Sequence, residues 1–185
     1  MKEQDGVSAQ TASTVAAWQK QLKTILTAST PTRKIALVGM GHSLRTDDFV
    51  GSYVLKKLIV REKDRLPEHI CMFDGEDHVE ALIMRISDLE PDHVIFIDAC
   101  EMKAEPGETR LISINQTSYP FFTTHGVPLK LLAEQFLPKS TVWVLCIQPR
   151  DTDFGEHLSH EIKETADSIL NFFASISKES NFIDN

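Results

Sequence analysis

Five short apolar runs punctuate the chain: KIALVGM (34–40), HICMFDG (69–75), HVIFIDA (93–99), RLISIN (110–115) and TVWVLCIQP (141–149). Their hydrophobicity is continuous rather than alternating and rich in β-branched residues, the pattern of strands buried on both faces. Five strands are therefore predicted. Between them the spacing turns helical. Val50, Val54, Leu55, Leu58 and Ile59 share one helical face, and so do Val79, Leu82, Ile83 and Ile86. These two segments read as βαβ crossovers between parallel strands. Only EMKAEPGETR separates the third and fourth strands, which is too short for a helical crossover and suits an antiparallel neighbour, so a mixed sheet is expected. Further helices are predicted at 128–136 and 155–173, the latter marked by Leu158, Ile162, Ile169, Leu170 and Phe173. Before the first strand, Val15, Trp18, Leu22, Ile25 and Leu26 form an amphipathic stripe that Pro31 ends. The expected organisation is an N-terminal extension with one helix (1–32), an α/β domain (33–177) and a short tail (178–185).

Composition narrows the partners. Hydrophobic residues make up 42% of the 185 residues and charged residues 25%, so a folded globular domain with a sizeable core is expected. The net charge of -8, with no dense cluster of lysine and arginine, argues against a nucleic-acid backbone as partner. No apolar run approaches bilayer length and MKEQDGVSAQTAST lacks the regions of a secretory signal, so a cytoplasmic protein without a membrane span is expected. Cys71, Cys100 and Cys146 stand far apart inside apolar segments, the setting of buried reduced thiols rather than of disulfides or a thiolate zinc site.

The candidate chemistry lies where strands end. In GMGHSLRTDDFVG (39–51), Gly39 and Gly41 permit a tight turn, but Leu44 stands where a dinucleotide fingerprint has its third glycine. Asp47 and Asp48 then open the next helix and would repel a phosphate at its N-terminus. Either they cap that helix or they face a cation. Asp74 ends the second strand and Asp98 the third, and in a parallel sheet such positions converge on one rim. His125, just before a helix start at Pro128, could add an imidazole. Carboxylates with one imidazole suit a first-row transition metal better than calcium or magnesium. A second cluster, EHLSHE (156–161), reads as a solvated helix face.

Taken together, GMGHSLRTDDFVG, FDGED, VIFIDACEMKAEPGETRLI, TTHGVPLKLL and CIQP resemble, in order and spacing, the nickel-iron hydrogenase maturation proteases, and the last three resemble the branch serving hydrogenase 3-type enzymes. The resemblance spans about residues 34–173. It implies a three-layer α/β/α sandwich of the phosphorylase/hydrolase-like kind with a mixed, mostly parallel five-stranded sheet. It also implies an endopeptidase that removes the C-terminal extension of a hydrogenase large-subunit precursor. In the family, nickel arrives in the precursor's cysteine-rich centre, so the metal is carried by the substrate. The family's nickel-contacting positions match Asp48, Asp98 and His125, with Asp74 in a supporting acidic position and Asp47 and His42 beside them. The metal would either polarise the carbonyl or activate water, or only position the peptide while an aspartate acts as base. Departures are His42 where asparagine is usual, and Phe49 and Glu76 where glycine is usual. His42 would be an extra ligand or a hydrogen-bonding loop residue. These departures motivate an alternative, a metal-dependent binding or chaperone protein for the immature large subunit that does not cut it. A nucleotide-binding domain would rest on Gly39 and Gly41 alone.

Overall fold

The computed structural model describes residues 17–27, 33–76, 78–116, 123–124 and 127–181. All five predicted strands form, each within two residues of its expected span: β1 (Ile35–Met40), β2 (Ile70–Glu76), β3 (His93–Ala99), β4 (Thr109–Ser113) and, late in the chain, β7 (Thr141–Ile147). A two-stranded hairpin, β5 (Thr123–Thr124) with β6 (Val127–Pro128), is an addition too short to leave a hydrophobic pattern. The helices are α1 (17–27), α2 (Val50–Glu62), α3 (Val79–Ser87), α4 (Leu129–Phe136) and α5 (His160–Asn181). Among the described residues no helix is long and apolar enough to cross a membrane.

The sheet runs β2-β1-β3-β7-β4, with β4 alone antiparallel. The expected antiparallel strand is therefore present, but it pairs with β7, because β7 takes the place beside β3 along seven paired residues from His93–Thr141 to Ala99–Ile147. Alternate residues of each central strand enter different layers. Ile35, Leu37, Ile95, Ile97, Leu145 and Ile147 pack against α1, α2 and α5. Ala36, Val38, Val94, Phe96, Val144 and Cys146 pack against α3 and α4. The result is a three-layer α/β/α sandwich, and burial on both faces is why the strands read as unbroken apolar runs.

Helix α5 starts at His160 rather than near Gly155. Gly155 is occupied elsewhere, bridging to Arg45 and exchanging backbone bonds with Leu44 and Thr46, so 155–159 is held as a loop. The Ser159 carbonyl then accepts the Lys163 N–H and opens the helix. α1 lies in the first layer: Trp18, Leu22 and Leu26 are buried, and the Trp18 ring meets Phe172 of α5 edge-on at 5.4 Å between centroids.

Trp18 carries a cost as well as a benefit, since its Nε1 is buried with no hydrogen-bond partner among the described residues. Trp18→Ala is expected to lose about 3 kcal/mol, the lower part of the range for emptying an aromatic site, because the unpaired donor leaves with the ring. Trp18→Phe should cost about 1 kcal/mol or less, as it keeps most of the packing and removes the orphan N–H. Urea unfolding of the two variants measures both, and equal losses would contradict this account.

Candidate active site at the carboxyl ends of β1 and β3

Gly51 lets α2 cross very close to the ends of two strands. A Cβ on Gly51 would lie 1.9 Å from the Ile97 carbonyl oxygen and 2.6 Å from that of Met40, so any side chain here would drive helix and sheet apart. The preceding turn closes just as tightly at Gly41, which has φ +123° and where a Cβ would lie 1.8 Å from the Asp48 carbonyl oxygen. These two glycines bring the 41–49 turn down onto the rim formed by β1 and β3.

The adjacent aspartates of that turn face different ways. Asp47 is wholly buried, and its carboxylate accepts hydrogen bonds from the N–H groups of Arg150 (2.9 Å), Asp151 (3.0 Å) and Ser159 (2.7 Å) and from the Ser159 hydroxyl (2.8 Å). It locks the turn to the 150–159 loop. Thr46 reinforces the lock, its Oγ1 donating to the Asp151 carbonyl at 2.7 Å. Asp48 is only partly buried and accepts the His42 N–H at 2.9 Å. Neither aspartate caps α2, whose N-cap is Phe49 with no side-chain cap bond. His42 also uses its ring inside the turn, where Nδ1 accepts the Leu44 N–H at 3.1 Å.

Asp98, at the end of β3, is where the electrostatics concentrate. Burial pushes its carboxyl well above the ordinary carboxylate range, the charge of Asp48 pushes it further, and the Ala99 N–H offsets part of the rise. Among the described residues, neither Asp48 nor Asp98 pairs with a lysine or arginine. Asp74 differs: it accepts the Ser52 hydroxyl at 2.6 Å and lies 3.4 Å from Lys56 Nζ. Lys56 also holds Glu76 at 2.6 Å. Burial works against this ammonium, but the Glu76 bond and the Asp74 and Glu76 charges outweigh it and raise its pKa.

The structure thus brings Asp48 and Asp98 together and gives Asp74 to Lys56. His125 lies outside the described residues, and among those described no three histidine, cysteine or acidic side chains gather as a metal site. Cys100 and Cys146 are buried, and burial, then Cys146, push the Cys100 thiol well up, which suits an inert thiol and not a nucleophile. His160 is exposed, pairing with Glu164 at 3.4 Å on a solvated face.

Several residues shape the site through partners far along the chain. Gln148 is one: its Oε1 accepts the Met102 and Ala104 N–H groups at 2.6 and 3.3 Å, and its Nε2 donates to Glu101 and to the Pro149 carbonyl, pinning the loop that follows Asp98. Ser52, Lys56 and Ser159 act over similarly long separations, which no local pattern encodes.

Because the folded pKa of Asp98 is raised, folding favours its protonated form. That stabilisation is complete below the ordinary aspartate pKa and is lost as pH rises from there through the folded value. Asp98→Asn cannot ionise, so it should match the wild type in acid and melt several degrees higher at neutral pH. Melting curves across this range test the sign, and a lower neutral melting temperature for the variant would contradict it.

The family model described as "Hydrogenase maturation protease" (HycI) matches residues 53–176. The hydrogenase 3 maturation protease of Escherichia coli K12 is 29% identical over 135 residues, covering 72% of this chain and 84% of its own. The crystal structure of the HycI nickel-iron hydrogenase maturation protease of Thermococcus kodakarensis superposes with a TM-score of 0.68 at 28% identity, covering 78% of this chain and 92% of that one. The solution structure of the Escherichia coli endopeptidase HycI gives a TM-score of 0.65 at 28% identity, over 75% and 87%.

Proposed function

Since this chain belongs to the hydrogenase maturation proteases, a family of peptide hydrolases, we propose that Asp48, Asp98 and His125 engage a nickel ion held by the precursor of a hydrogenase large subunit. The bond cut is the one that frees the precursor's C-terminal extension. The metal is part of the substrate, and its role at this site is recognition.

The observation that carries this reading is the Asp48–Asp98 pair. Two carboxylates close enough for one to raise the proton affinity of the other are a liability in an isolated protein. A divalent cation turns the liability into binding, because it attracts both and favours the ionised form of Asp98. An imidazole from His125 would complete a nitrogen and oxygen donor set suited to nickel. Docking through a metal already in the precursor also fixes the scissile bond relative to the protease, which converts recognition into positioning. Asp47 acts from below by holding the Asp48 turn, and Lys56 keeps Asp74 neutralised and apart.

Purified protein incubated with nickel-loaded precursor should remove a short C-terminal peptide, read by mass spectrometry, and should leave metal-free precursor intact. Asp98→Asn and His125→Ala should each slow processing by about a hundredfold or more while remaining folded. Processing at the normal rate by either variant, or equal cutting of metal-free precursor, would overturn the proposal.

A further inference from the structure

Phe49, Lys56 and Glu76 come from a turn, a helix and a strand end, and they meet. Lys56 Nζ lies 2.6 Å from Glu76, 3.4 Å from Asp74 and 5.1 Å from the centre of the Phe49 ring. One helical turn along α2, Tyr53 meets the Phe49 ring edge-on with centroids 6.2 Å apart. Together they make a ridge from the end of β2 across the start of α2, directly beside Asp48.

The backbone is shaped to build this ridge. Glu76 has φ +45°, a left-handed conformation that glycine adopts freely and a residue with a Cβ resists. The β1–β2 register also slips at this point: Gly39 faces Asp74, but Met40 faces Glu76. Bulges of this type re-aim a side chain, and here the re-aimed side chain is the one that grips Lys56. The Glu76 carbonyl accepts the Gly41 N–H at 2.8 Å, fastening the ridge to the turn that carries Asp48.

We propose that Phe49, Lys56 and Glu76 form a steric gate on the β2 side of the site that admits only a small side chain of the precursor; the inference rests on the endopeptidase reading above. An endopeptidase substrate runs on from the cut bond in both directions, and an extended peptide advances about 3.3 Å per residue. Neighbouring strands are about 4.8 Å apart, so β2 lies about 10 Å from β3, and the ridge meets the peptide within about three residues of a bond held at Asp48 and Asp98. Lys56 is partly exposed, and several contacts together hold it in the ridge. Its ammonium is held by two carboxylates and lies over the Phe49 ring, so a bulky side chain that displaced it would have to break the Glu76 contact and leave Asp74 and Glu76 short of a cation.

The test uses nickel-loaded precursor carrying alanine or tryptophan singly at each of the three positions on either side of the cut bond. The wild type should cut one tryptophan form about tenfold or more slowly than its alanine counterpart, the size of effect that overpacking one side chain produces. In Phe49→Ala/Glu76→Gly that ratio should fall towards one. Glu76→Gly alone, which relieves the left-handed backbone and so is the safer variant for folding, should move it the same way. A tryptophan-to-alanine ratio that is the same in the wild type and both variants at every position overturns the gate. Failure of the wild type to cut the unaltered precursor overturns instead the endopeptidase reading on which the gate rests.

Discussion

The close approach of α2 to the sheet at Gly51 is the constraint on which the site depends. Because the helix backbone lies against the carbonyls of Met40 and Ile97, the turn leading into the helix has nowhere to go but over the ends of β1 and β3. Asp48, the second-last residue of that turn, is thereby brought to Asp98. A side chain at Gly51 would not simply crowd the core. It would separate the two carboxylates of the rim, Asp48 and Asp98.

Holding two acids near each other costs stability, and the surrounding structure offsets that cost. Asp47 is satisfied by four hydrogen bonds from the 150–159 loop, so it braces the turn without adding an unpaired charge to the rim. Gln148 pins the loop after Asp98 in a comparable way. Lys56 draws Asp74 and Glu76 together. Among the described residues, the Asp48–Asp98 pair is left without a cationic partner, and perturbed acids of this kind cluster at functional sites.

Most of the fold was legible in the sequence because burial on both faces of the sheet leaves unbroken apolar runs, and the two βα crossovers leave clear helical stripes. The strand partner of β4 was not legible, since its residues pair across long separations, from Ser113 with Trp143 to Thr109 with Ile147. In the site, Asp48, Asp74 and Asp98 could be placed on the rim from their positions at strand ends alone. What each does there depends on distant partners. Asp74 is claimed by Ser52 and Lys56 on a neighbouring helix, and Asp47 by residues more than a hundred positions away. A neighbouring pair of aspartates reads the same in sequence whether both face solvent or, as here, one turns inward.

The central claim is that the carboxylates of this rim contact a metal the substrate already holds, and nickel X-ray absorption tests it most directly. The spectrum of the nickel-loaded precursor is recorded alone and then with the His125→Ala protein, which is expected to bind without cutting and keeps both carboxylates. The account predicts new oxygen ligands at about 2.0–2.2 Å when the proteins combine, lost again when Asp48 and Asp98 are both replaced by asparagine. An unchanged nickel environment in a complex shown to have formed would contradict it.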